Sequence, residues 1–357
     1  MKIVIAPNAF KGFFTAREAA RSMAAGARRA CPEGEIVCLP VSDGGDGLVE
    51  IMEDALWGEI VTREVRDPLG RPVKARLLWV DGQAVIEMAE ASGMALLNKS
   101  ELDPMRSSTY GTGQLIRHAL DLGARRLLVG IGGSATCDGG TGMASALGVR
   151  FLDARGRVFE PTGGSLHEIA CIEKRPALDE VEIDAACDVS NRLLGEEGAA
   201  RVYAPQKGAS PEQVEALEKG LKVLAERIRI DLGIDVTGLA GGGAAGGLGA
   251  GLFAFLGARL RPGADLVLEH VGLSSAIREA DLVITGEGRL DDQTLAGKAP
   301  ARVAALCREQ RVPCYAVAGE VAVHAGFDRA FSLKPEGITL EQAAYRAVMT
   351  FTSSDGG

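Results

Sequence analysis

Short apolar runs alternate with amphipathic stretches at both ends of the chain. "KIVIA" (2–6) precedes a pattern that predicts a helix from the N-cap Thr15 to Ala30, and "EIVCLP" (35–40) precedes a helical stretch to Leu56. Near the other end, "ADLVIT" (280–285) leads through a loop to a helix from about Pro300 and then to "VPCYAVAG" (312–319). Apolar strands separated by helices predict a parallel sheet covered on both faces. Between them the pattern changes. Residues 60–88 alternate in short segments around "DPLGRP" and "DGQ" turns, which predicts antiparallel hairpins. A helix (111–122), a strand (126–131), a helix (141–148) and a polar helix (211–230) follow.

The architecture expected is α/β. A Rossmann/flavodoxin-like parallel-sheet domain forms from 1–62 plus 276–357, and a mixed α/β domain, 63–275, is inserted into it, with the active site in the cleft between them. At 357 residues each part is long enough for its own core.

The formal charge is −9, which argues against nucleic acid or an anionic membrane as partner. No apolar run approaches the length of a membrane helix. Seven cysteines without a C-x-x-C pair and four scattered histidines read as reduced thiols in a cytoplasmic protein rather than a zinc site or disulfide framework. Cys137 has no neighbouring cation or histidine in sequence to make it a thiolate.

Four glycine clusters stand out: "SDGGDG" (42–47), "GIGGSATCDGG" (130–140), "GGGAAGGLGAG" (241–251) and "TGEGRLDDQT" (285–294). A glycine turn after a strand exposes N–H groups that bind anions without a basic side chain, although any one such cluster is more often a tight turn or a packing contact. Three of the four carry carboxylates. Lys11, Lys207 and Arg289 each adjoin a glycine, so that a cation and backbone amides could converge on the same oxygens. The pattern suits phosphoryl transfer, which needs carboxylates for Mg²⁺ and for a proton, and N–H groups for phosphate. There is no Walker or protein-kinase motif. A competing reading takes Gly130–Ala135 as G-x-G-x-x-A, with Asp153 as a ribose-binding acid, and gives an NAD-dependent hydroxy-acid dehydrogenase. A non-catalytic sugar-acid sensor is a third.

Read in order, "KIVIAPNAFKG", "LPVSDGGDG", "STYGTGQLI", "GIGGSATCDGGTGMASALGVRF", "CDVSNRLLG", "APQKGAS", "AAGGLGAGLFAFLGARLRPG" and "ADLVITGEGRLDDQTLAGKAP" resemble the bacterial glycerate kinases of the 2-phosphoglycerate-forming type. Asn8 stands where that family commonly has an acid. The resemblance implies an ATP- and Mg²⁺-dependent kinase that phosphorylates D-glycerate, an organic acid; it leaves a homo-oligomer open. With that substrate in view, the residues suggest these roles. Gly132, Gly133, Ser134, Thr136 and Lys11 take phosphate oxygens, and Asp43 and Asp188 hold Mg²⁺. Asp138 or Asp291 accepts the hydroxyl proton. Arg289 or Lys207 meets the glycerate carboxylate, and Glu287 lies in the same binding set.

Overall fold

The computed structural model describes residues 1–10, 12–42, 47–56, 58–173, 180–295, 298–323, 326–334 and 337–354. Its strands, in chain order, are β1 (Lys2–Pro7), β2 (Glu35–Cys38), β3 (Glu59–Arg66), β4 (Pro72–Val80), β5 (Gln83–Glu87), β6 (Arg126–Gly130), β7 (Arg150–Leu152), β8 (Val158–Phe159), β9 (Cys171–Glu173), β10 (Glu182–Ala186), β11 (Arg259–Arg261), β12 (Leu282–Leu290), β13 (Cys314–Val321) and β14 (Arg329–Ser332). The chain divides into two compact units. The first comprises Met1–Asp43, Glu50–Leu56 and Ala264–Gly357, and the second comprises Gly44–Val49 and Trp57–Gly263.

The first unit is built on a parallel five-stranded sheet of order β14-β13-β12-β1-β2. Counted within that sheet alone the order is 2-1-3-4-5, the flavodoxin arrangement, whose direction of winding reverses between β1 and β12. The helix Ala16–Ala30 starts where the sequence predicts. Thr15 accepts from the Glu18 amide, and the Glu18 side chain returns a bond to the Thr15 amide, so two otherwise orphaned donors are satisfied. Its apolar stripe (Ala19, Met23, Ala27) packs with Ala343, Ala344 and Ala347 of the helix Leu340–Ser354 against Ile3, Ile5, Leu282 and Ile284. Gly26 permits that approach, since a Cβ there would lie 2.0 Å from the Glu341 carbonyl.

β12 corrects one expectation. "TGEGRL" continues the strand to Leu290 rather than forming a loop. A Cβ on Gly286 would sit 2.0 Å from the Val317 carbonyl of β13, so this glycine allows strands to pair closely.

The second unit carries a mixed sheet, β11-β10-β6-β5-β4-β3. It is parallel from β11 to β5 and antiparallel from β5 to β3, beside the small antiparallel sheet β8-β7-β9. Asp81 and Gly82 both have positive φ, giving the tight turn that "DGQ" predicts between β4 and β5. The core runs from Leu77, Ile86 and Val129 in the sheet to Leu217, Leu221, Leu248 and Phe255, and the rings of Phe151 and Phe255 meet edge to face at 5.7 Å. No helix among the described residues is long and apolar enough to cross a membrane.

Candidate active site

In the second unit, β5, β6 and β10 end in register, with Glu87 beside Gly130 and Gly130 beside Ala186. This is the carboxyl edge of three adjacent parallel strands, where ligands of open α/β sheets bind. Past Gly130 the chain turns through Gly132 and the exposed Gly133 (φ +71°) to Ser134. Two backbone bonds pin the turn: Met94 N to Gly133 O and Ala135 N to Ser92 O, both 2.9 Å. The N–H groups of Gly132, Gly133 and Ser134 meet no acceptor among the described residues.

Lys207 lies buried behind this turn, 4% exposed, and donates to Ser134 Oγ and to the Thr136 carbonyl, each at 2.6 Å. Its third proton has no acceptor among the described residues, and no carboxylate there is within ion-pair distance. Burial pulls the ammonium down to about 8, partly opposed by Cys137 and Asp138. Local sequence drives the side chain inward. Pro205 opens a single 3₁₀ turn, and Gly208 (φ +94°) closes it so tightly that a Cβ there would stand 2.4 Å from the Leu102 carbonyl. The buried Thr136 hydroxyl also has no partner among the described residues. An inward cation and outward amides together make an electropositive, anion-seeking turn.

Asp138 is enclosed in its own frame. It is fully buried, and its carboxylate accepts from Thr109 N and Thr109 Oγ1 (2.8 Å each) and from Gly140 N and Gly142 N (3.2 Å each). Burial pushes its pKa up, and these four bonds offset only part of that rise. Three of its four donors are backbone N–H groups, and the Thr109 hydroxyl, which also accepts from Met143 N at 2.9 Å, completes the shell. A base must reach the proton it removes. Here the carboxylate is enclosed by four donors and ties "STYG" to the glycine turn.

The cluster 241–251 is also not a loop that cradles an anion. It enters the helix Ala244–Leu256, interrupted by left-handed Ala245, Gly246 and Gly247, and Gly246, Gly247 and Gly251 pack on the backbone of 136–140. A Cβ on Gly246 would lie 2.0 Å from Thr136 O, and one on Gly251 would lie 2.5 Å from Gly139 O. Gly139 N donates to Gly246 O at 3.0 Å. The dinucleotide reading fails on Asp153, which caps a turn between β7 and β8 by accepting from Arg155 N, Arg157 N and Arg157 Nε. Cys137 is buried and its thiol is pushed up to about 12 by desolvation, as expected of an unreactive core cysteine.

Asp188 is exposed just past the end of β10 and accepts from Gly263 N at 2.7 Å. An exposed carboxylate on the strand next to the anion-seeking turn suits Mg²⁺, which takes one or two carboxylates together with phosphate oxygens and water. Lys11 and Asp43 lie outside the described residues. Sequence reading missed Glu87. It is 6% exposed and accepts from Gly47 N (2.9 Å) and Val49 N (3.3 Å), anchoring the end of "SDGGDG". Its only sequence signal is an acid that ends an apolar strand.

In the first unit, Glu287, Arg289 and Asp291 gather at the far end of β12. Glu287 is 7% exposed and accepts from the fully buried Thr294 hydroxyl at 2.6 Å. Asp291 caps the short helix Asp292–Leu295 through Thr294 N at 3.4 Å, and its amide donates to Thr294 Oγ1 at 3.2 Å. Arg289 is exposed and only loosely paired, 3.7 Å from Asp291 and 3.9 Å from Glu320.

A family model described as the glycerate kinase family matches residues 3–354. The chain is 47% identical over 352 residues to a glycerate kinase of Halalkalibacterium halodurans and 42% identical over 354 residues to a glycerate 2-kinase of Escherichia coli. Each match covers 96% of this chain and 93% of the relative. A crystal structure assigned as glycerate kinase 2 from Salmonella typhimurium LT2 superposes with a TM-score of 0.90 at 42% identity, covering 99% of both chains.

Proposed function

The chain belongs to the glycerate kinase family, and from that premise we propose that it transfers the γ-phosphoryl group of ATP to the C2 hydroxyl of D-glycerate, giving 2-phosphoglycerate and ADP. The observation that carries this reading is the turn Gly132–Ser134, whose three N–H groups meet no acceptor among the described residues, in front of the buried Lys207 cation. Phosphoryl transfer spreads charge over the γ-phosphate oxygens. Donors already oriented at that charge supply stabilisation without reorganising during the reaction.

In this scheme Gly132, Gly133 and Ser134 bind phosphate oxygens, and Lys207 holds the turn while adding its charge from behind. Asp188 would hold Mg²⁺, with Asp43 as a second carboxylate; bound there, the ion would neutralise charge on the phosphates. Arg289, with its loose ion pairs, takes the glycerate carboxylate, and Glu287 fixes the local frame through Thr294. Asp291 accepts the C2 hydroxyl proton as the oxygen bonds to phosphorus and the bond to ADP breaks. Asp138 keeps the turn in shape and takes no proton.

A coupled assay for ADP tests the activity, with phosphorus NMR identifying the product. ADP formation requires both D-glycerate and Mg²⁺, and the new resonance is that of the C2 ester. ADP released at the same rate without glycerate, or a C3 ester, overturns the proposal.

A further inference from the structure

A second electropositive recess lies at the opposite, amino edge of the first unit's sheet. A cavity of about 270 Å³ is lined by Arg308, Arg311, Val312, Cys314, Gly326 and Asp328, among others. Below the range usual for drug-sized ligands, this volume suits a molecule of about ten heavy atoms. Two arginines are among the lining residues. The Arg308 side chain makes one long bond, to the Gly326 carbonyl at 3.4 Å, and the Arg311 side chain makes none among the described residues. Neither has a carboxylate within ion-pair distance there. Asp328, the one acid in the lining, is engaged by Cys314 N at 2.8 Å and presents an acceptor.

The placement of Arg311 is a separate observation. It follows the helix Ala299–Gln310 at φ +60°, ψ +38°, the left-handed position where glycine is unstrained. Only Asp81 and Ala245 share positive φ among the described non-glycine residues. Arg308, in the last helical turn, is already placed to complement the helix dipole. The left-handed backbone closes the helix, the Arg311 and Val312 amides donating to the Arg308 and Cys307 carbonyls, but glycine would do this without strain, and the arginine found there lines the same recess.

We propose that this recess binds a small phosphate monoester, the phosphate forked between Arg308 and Arg311 and a ligand hydroxyl donating to Asp328. Planar guanidinium pairs match phosphate oxygens, and the lone carboxylate selects a ligand with a hydroxyl donor over one with only negative charge.

Titration of the full-length protein with glycerol 3-phosphate, followed by ¹H–¹⁵N NMR at the Gly326 and Val312 amides, tests the site. Saturable shifts at both are expected, with affinity above that for inorganic phosphate. Arg311→Gly separates ligand loss from fold loss, because it removes the guanidinium while relieving the left-handed backbone. It should melt at the same or a higher temperature yet bind about 10- to 100-fold more weakly. No saturable shift, equal affinity in Arg311→Gly, inorganic phosphate binding as tightly, or an equal response to chloride overturns the proposal.

Discussion

Replacing Lys207 by Met keeps the length of the side chain and removes its charge. A buried ammonium whose pKa falls from 10.5 to about 8 is disfavoured in its charged form by about 3 kcal/mol. The unfolded chain holds that proton up to about pH 10.5 and the folded chain only to about pH 8. Between the two the unfolded state binds more protons, so stability rises with pH across that window, and below pH 8 the full penalty applies. Activity moves the other way, because the cation behind the turn is lost above about pH 8. Wild-type kcat/KM for ATP should therefore fall on an alkaline limb near pH 8 while the Lys207 contribution to urea stability improves. Lys207→Met should lose both trends. Its stability at pH 7 should stay within about 2 kcal/mol of wild type, since the relieved penalty offsets two lost hydrogen bonds. Its kcat/KM should fall about 10²–10³-fold, as for loss of a preoriented donor to developing charge. The measurements are an ADP-coupled pH profile from 6 to about 10 and urea unfolding of both proteins at each end of that range. A flat wild-type profile to pH 9.5, or a Met variant within about fivefold of wild type, would refute the reasoning.

Three further outcomes follow from the geometry. Asp138→Asn sets an amide against four donors and should cost about 2–4 kcal/mol in urea unfolding; a stability equal to wild type would deny it a structural role. Gly246→Ala places a methyl 2.0 Å from Thr136 O at φ +67°, so it should lower both the urea midpoint and kcat/KM, and an unaffected pair would show that the 136–140 backbone tolerates displacement. Asp291→Asn should lower kcat about 10²–10⁴-fold with little change in KM for ATP, and near-wild-type turnover would remove it as proton acceptor.

Local chemistry made much of the fold legible. Thr15 with Glu18 fixes a helix start, Asp81-Gly82 fixes a hairpin, and β-branched runs at both ends give the parallel strands. Glycine was harder to interpret, because one residue type serves turns, amide nests and close packing, and only its spatial neighbour tells them apart. Thus 241–251 read like 130–140, yet its glycines face backbone, whereas Gly133 faces outward. The carboxylates were flagged by type. Type does not report enclosure, so Asp138, a candidate base in sequence, turned out to be a fully bonded anchor. Lys207 was legible as a cation beside a glycine, but nothing in its neighbourhood in sequence announced the Ser134 hydroxyl and Thr136 carbonyl that receive it. Glu87 had no partner in sequence to betray it.

The contact of Gly246 and Gly251 with Thr136 and Gly139 also limits how such a chain can diverge. Where side chains meet, a larger residue on one side can be balanced by a smaller one opposite, and a lineage can drift through such pairs. Here main chain meets main chain. Neither partner has bulk to give up, so no second change rescues the first, and two distant stretches of the chain are held to the same composition together.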